Sequence, residues 1–243
     1  GNGCTDSENV VVTVNALPNA NAGNDASICE NASTQLQASG GGSYSWSPSV
    51  GLSSGGVSNP TASPTSTTTY TVTVTDGNGC SNSDAVTVNV NALPTADAGN
   101  DVSICDGQST ALNASGGNTY SWSPTTGLSN AGAANTNASP AATTTYTVNV
   151  TDGNGCSASD NVTVTVSSLP IVTTSGDVAI CDGETTPLSA GGGNTYSWSP
   201  SSGLSNSGVS NPDANPTSTT TYTVTVSSGV GCSASDNLTV TVN

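Results

Sequence analysis

The sequence is periodic, and the period constrains the fold more than any other feature. Thr-Thr-Thr-Tyr-Thr-Val-Thr-Val-Thr-Asp-Gly-Asn-Gly-Cys at 67–80 returns at 143–156 with one residue changed. It returns again, more altered, at 219–232, an offset of 76 residues each time. Its last four residues, Gly-Asn-Gly-Cys, also open the chain at 1–4. A strand, a tight turn and a cysteine at fixed pitch are the signature of a tandem array of small units. A unit of this size has a thin core, and a covalent staple would help it.

The pitch sets the boundaries. Residues 1–18 match 77–94 and read as the tail, the last strand, of a truncated preceding repeat. Three units follow at 19–94, 95–170 and 171–243. Cropping from a longer array is the simpler account of the tail. The rival account makes it a donor strand that completes a neighbouring sandwich. All three units carry their own last strand, so no acceptor is visible.

Within each unit the pattern is β throughout, and no segment has helical periodicity. In the middle unit the alternation and the turn residues predict strands at 101–105, 110–114, 119–123 and 146–150. A final strand is predicted at 161–166, and 124–140 reads as a long irregular stretch. Asp152-Gly153-Asn154-Gly155 suits a hairpin turn, because Gly and Asn accept positive φ cheaply. The expected core is one set repeated three times: Trp46, Trp122 and Trp198 on the third strand; Tyr70, Tyr146 and Tyr222 after a corner; Leu36, Leu112 and Leu188 on the second strand. Trp and Tyr so placed are the pattern of an immunoglobulin-like sandwich. The expected fold class is all-β, with tandem Ig-like β-sandwich domains in a head-to-tail rod.

Charge removes several classes of function. The chain has no Lys, Arg or His, and its 16 charged side chains are all acidic. Nothing here neutralises a phosphate, so no nucleic acid is expected as partner. Anionic membrane surfaces are disfavoured, and no apolar run approaches the ~20 residues of a membrane span. Catalysis fits poorly, because only carboxylates and hydroxyls are available and they repeat with the fold. The expectation is no enzyme and no catalytic residue.

The seven cysteines form two series, 29, 105, 181 and 4, 80, 156, 232, both at the same pitch. Such regularity reads as a disulfide framework in an oxidising, extracellular or cell-surface location. Zinc is not expected, since neither CxxC nor His occurs. Two connectivities compete. Within a repeat, the bonds would be Cys29–Cys80, Cys105–Cys156 and Cys181–Cys232. Between repeats, they would be Cys29–Cys156 and Cys105–Cys232, with Cys4 and Cys181 bonded to flanking repeats. In a sandwich the first turn and the last hairpin lie at opposite ends, about 20 Å apart for a strand of six residues. Bridged Cα atoms sit no more than about 7 Å apart. Geometry therefore favours the inter-repeat set.

No cofactor is required, but hard cations prefer oxygen ligands. Asp25, Asp101 and Asp177, just after the linkers, and Asp76 and Asp152, in the hairpin turns, are candidate calcium ligands. The same residues suit solvated turns better than an obligatory site, because the third unit has Ser228 where Asp76 and Asp152 stand.

The run from Pro94 to Asp101, then Tyr120-Ser121-Trp122, then Tyr146 to Gly153, resembles the polycystic-kidney-disease (PKD) type of Ig-like domain. The likeness is greater to cysteine-bearing PKD-like repeats of large secreted surface proteins of Bacteroidota. Ser123-Pro124 departs from the family, which continues there with an acidic, glycine-rich turn. The resemblance implies a non-catalytic stalk, spacer or adhesin at the cell surface. The expected function is a surface stalk or self-assembling filament, with other copies of the chain as partners. The alternative is an adhesin or glycan-binding module that takes a glycan or cell-surface ligand through the 124–140 loop.

Overall fold

A computed structural model describes residues 1–243, and every regular element in it is a strand. No helix is long and apolar enough to cross a membrane. The chain divides into two compact units, Gly1–Thr95 with Thr151–Ala158, and Ala96–Val150 with Ser159–Asn243.

In the first unit a four-stranded sheet runs in the order Ala26–Cys29, Ser81–Asn91, Thr68–Thr75, Ser43–Ser47. The first of these lies parallel to the second, with Ala26 opposite Val88 and Cys29 opposite Asn91. The remaining pairs are antiparallel. A smaller sheet pairs Thr34–Gln35 with Thr61–Ala62. The core between the sheets joins Leu36 and Ala62 to Trp46, Tyr70, Val72, Val74, Val86 and Val88. Alternation explains the choice. Tyr70, Val72 and Val74 are fully buried, while Thr71 and Thr73 between them are not. Each buried Val contributes roughly 1.5–3 kcal/mol, and the threonines of the outer face suit a pleated surface exposed to water.

The second unit holds two further arrangements of the same kind. One has the order Val102–Cys105, Ser157–Ser167, Thr144–Thr151, Thr119–Ser123; the other has Val178–Ile180, Ser233–Val242, Thr220–Ser227, Thr195–Ser199. Each has its own core, around Trp122 and Tyr146 and around Trp198 and Tyr222. Leu112 and Leu188 belong to these cores, as Leu36 does to the first.

Two expectations about strands need correction. The stretch 124–140 is not wholly irregular: Asn135–Ala138 is a strand, paired antiparallel with Thr110–Asn113. Thr136 and Ala138 face inward from it, and the Thr136 hydroxyl is satisfied by the Asn130 N–H at 3.1 Å and by Ser129 Oγ at 3.2 Å. An Asn-Thr-Asn-Ala strand has no hydrophobic alternation to announce it. The last strand is also longer than 161–166 and begins at Ser157, directly after the hairpin cysteine.

Residues 1–18, expected as a last strand, form no ladder. Val10 and Val12, the equivalents of the core residues Val86 and Val88, are 84% and 79% exposed. A last strand pairs with the Tyr-bearing strand and the first strand of its own repeat, and residues 1–18 bring neither with them.

The first strand changes sheets on its way in. Asn21 bridges to Ser39, and Asp97 to Ser115, on the side of the smaller sheet. Five residues later, at Ala26 and Val102, the chain lies against the last strand of the larger sheet. Gly23 and Gly99 make the crossing with φ of 87° and 80°, a conformation that side chains disfavour.

Candidate functional site

The residues that recur at fixed pitch and bear chemistry are cysteines and carboxylates. The structure assigns them different work.

Cys29 is bonded to Cys156, and Cys105 to Cys232, each across 127 residues of sequence. The Cα atoms are 5.5 and 5.6 Å apart. Cys4, Cys80 and Cys181 are free. The reason lies in the last strand. Cys29 sits opposite Asn91, at the end of Ser81–Asn91, and Cys80 immediately precedes its start. Eleven residues of strand hold these two cysteines roughly 30 Å apart, far beyond the reach of a bond.

Both kinds of cysteine are held by local turns. The carbonyls of Cys29, Cys105 and Cys181 accept the N–H of Ala32, Gln108 and Glu184 at 2.9–3.0 Å. Asn31, Gly107 and Gly183 make that turn with φ of 65°, 78° and 82°. The hairpin cysteines are fixed by the residue four before. Asp76 Oδ1 accepts the Cys80 N–H, and Asp152 Oδ1 the Cys156 N–H, both at 2.9 Å. Ser228 Oγ does the same for Cys232 at 3.2 Å. A serine can replace the aspartate here because the position needs a short oxygen acceptor, not a charge.

The candidate calcium ligands are thus occupied with backbone. Asp76 and Asp152 also accept the N–H of Asn78 and Asn154. Asp25, Asp101 and Asp177 accept the N–H of Thr87, Thr163 and Thr239, each at 2.7 Å. No three His, Cys, Asp or Glu side chains gather as a metal's ligands would.

A second carboxylate series escaped the reading of the sequence. Asp84 Oδ2 accepts the Ala22 N–H at 2.8 Å, and Asp160 Oδ2 the Ala98 N–H at 2.9 Å. Asp236 Oδ2 meets Thr174 Oγ1 at 3.2 Å. The Ala22 and Ala98 bonds, helped by the N–H of Ala85 and Asn161, hold the Asp84 and Asp160 carboxyls below the usual range. The signal was there: acids at 84, 160 and 236 keep the pitch in a chain with only 16 acids.

The aromatic residues work as frame. Tyr70, Tyr146 and Tyr222 donate their hydroxyls to the carbonyls of Val50, Thr126 and Ser202 at 2.9–3.0 Å. Burial pushes these phenols up. Trp46, Trp122 and Trp198 donate Nε1 to the carbonyls of Val57, Ala133 and Val209. Their own backbone N–H groups reach Gly55, Ala131 and Ser207, two residues earlier in each loop. Each loop after the Trp strand is therefore tied down at two carbonyls.

Residues 92–170 match the family described as "Ig-like domain CHU_C associated". That stretch is the middle repeat, and the other two share its period. Among curated proteins, none matches this chain. Among solved structures, an E-to-A mutated variant of three titin Ig domains is similar over 95% of this chain and all of its own, at 12% identity and TM-score 0.50. Another titin tandem of Ig domains covers 95% and 98% at 13% identity, with TM-score 0.36. Four Ig domains of Sidekick-1 cover 93% and 76% at 13% identity, with TM-score 0.34. The likeness to the first of these shows the fold: the chain is a tandem of Ig-like β-sandwich domains, similar over its middle repeat to a Bacteroidota-type Ig-like family.

Proposed function

We propose that this chain is a structural extracellular repeat protein, a stalk or self-assembling filament stiffened by disulfides between successive repeats. The observation that carries the reading is the pair of bonds Cys29–Cys156 and Cys105–Cys232, the same bond made twice. An Ig tandem needs no such bonds to fold, since each core is complete on its own. Bonds between repeats limit motion at the linkers, a property useful to a spacer and of no use to a set of independent domains. Disulfides of this kind persist outside the cell, where thiols are not kept reduced. The reading needs no catalytic residue and no cofactor, and its natural partners are further repeats of the same kind.

Small-angle X-ray scattering of the oxidised and the reduced chain tests it. With each sandwich about 30–40 Å long, three in line give an oxidised particle of about 100 Å. Reduction should broaden the distribution of lengths while the sheet signal in circular dichroism stays. Identical scattering before and after reduction would remove the stiffening role.

A further inference from the structure

We propose that the two bonds carry tension past the sandwiches, so that the oxidised chain, pulled by its ends, does not gain a repeat's length when one repeat unfolds. This property is distinct from stiffness at the linkers, and it follows from connectivity. The closed segments 29–156 and 105–232 are interleaved. Neither lies inside the other, and they share 105–156.

Interleaving leaves a short covalent route from end to end. It runs along 1–29, crosses to Cys156, returns from 156 to 105, crosses to Cys232 and leaves along 232–243. The route takes in about two-fifths of the 243 residues, a full length of roughly 300–340 Å for an extended chain. With both bonds open the same chain would reach roughly 800–870 Å. Toward each end the route follows a strand, Ala26–Cys29 before the first bond and Ser233–Val242 after the second. A strand advances about 3.2–3.4 Å per residue, close to the limit of the backbone, so tension has little length to draw from it.

Between the bonds the load divides. The pair Cys29–Cys156 and the pair Cys105–Cys232 are joined by three stretches of chain, 29–105, 105–156 and 156–232. All three have to lengthen before the pairs can part. Most of the first repeat lies in the first stretch, most of the middle repeat in the second and most of the last repeat in the third. Unfolding one repeat therefore adds no more than the slack of a linker, because the other two stretches still hold. In the middle repeat the bonded cysteines mark opposite ends of one strand. Cys105 pairs with Ser167, where Ser157–Ser167 stops, and Cys156 precedes its start. Parting them draws Val102–Cys105 and its parallel neighbour past each other, so the pairs from Val102–Val164 to Cys105–Ser167 resist together.

Single-molecule pulling of the full chain by its two ends tests this. The free thiols Cys4, Cys80 and Cys181 are alkylated in the oxidised sample, and all seven cysteines in the reduced one. The reduced chain should give three steps. Each should measure roughly 200–240 Å, the extended length of a repeat less its folded length. The oxidised chain should give no step of that size and stop short of about 340 Å. Cys105→Ser with Cys232→Ser should restore one step, from the last repeat. Cys29→Ser with Cys156→Ser should restore one step, from the first. Repeat-sized steps in the oxidised chain, or more than one in either double variant, would overturn the proposal. The oxidised and reduced wild type decide the matter even where a variant fails to fold. Scattering unchanged by reduction alongside a stepless oxidised trace would remove the stiffening role and leave this inference standing. Three steps from an oxidised chain whose scattering does change would do the reverse.

Discussion

Asp160 accepts the backbone N–H of Ala98 at 2.9 Å, and three residues away on each side Asp101 accepts that of Thr163 at 2.7 Å. The first strand and the last thus exchange carboxylates at the place where the first strand crosses between sheets. The crossing leaves both N–H groups without a ladder partner, and a buried or half-buried donor without an acceptor is costly. The first repeat repeats the exchange with Asp84 to Ala22 and Asp25 to Thr87.

Acid should expose this clamp. Hydrogen bonds from backbone lower the Asp84 and Asp160 carboxyls below their ordinary 3.8. A carboxylate with a depressed folded value adds stability above its unfolded value, and loses it as pH falls through the folded one. Wild type should therefore melt higher than Asp84→Ala with Asp160→Ala by a few degrees at pH 7. The gap should close progressively below about pH 4. Thermal melts followed by circular dichroism between pH 7 and pH 2 check it; a gap that persists unchanged at pH 2 would mean the carboxylates act by packing instead.

The aromatic frame separates two costs. Trp122→Ala removes a side chain that is 1% exposed and should cost about 3–5 kcal/mol. Tyr146→Phe keeps the ring and strands the Thr126 carbonyl, for about 1 kcal/mol. Urea unfolding of both variants gives the comparison, and the opposite order would mean the hydroxyl bond, not the core, fixes the corner.

The array, the core and the cysteine series were legible because each is written three times. Trp122, Tyr146 and Leu112 have large side chains in alternating runs, and burial follows from that. The strand Asn135–Ala138 was hidden because its inward residues are Thr136 and Ala138, which carry little hydrophobic signal. The carboxylates were legible as a pattern, and the backbone bonds they make were not. Asp101 looked like a cation ligand because the backbone N–H it serves, that of Thr163, lies 62 residues away. Long-range backbone satisfaction leaves no local mark in a sequence.

Glycine at the crossing of the linker should be irreplaceable. A Cβ on Gly40 would lie 2.0 Å from the Asn19 carbonyl oxygen, and one on Gly192 would lie 2.0 Å from that of Ile171. Both glycines also have positive φ, 114° and 108°. Gly40→Ala and Gly192→Ala should each cost roughly 1–3 kcal/mol from strain alone, and more from the backbone shift. Gly77→Ala, with nothing within 4 Å, should be nearly neutral. Denaturant midpoints of the three variants test this, and equal midpoints would mean the linker moves aside freely.

Calcium should have little to hold. Asp25, Asp101 and Asp177, like Asp76 and Asp152, each already accept backbone N–H groups. A hard cation wants six to eight oxygens around it. Calorimetric titration after chelator treatment is expected to give no heat, with no change in Tm. A saturable heat that disappears in Asp101→Asn would reinstate a site at the crossing.

Loss of one joint should be felt locally. Cys105–Cys232 closes a segment of 127 residues, worth at most roughly 5 kcal/mol in the loop-entropy model. Each core is separate, so the loss should stay near the bond. In Cys105→Ser with Cys232→Ser, hydrogen exchange should quicken in Thr220–Ser227, which ends five residues before Cys232. Exchange in Thr68–Thr75 should not change, because Cys29–Cys156 remains. Peptide-resolved exchange by mass spectrometry reads both strands in one experiment. Equal acceleration in the two would mean that the repeats unfold as one cooperative body, and that the bond stabilises the array as a whole instead of a single joint.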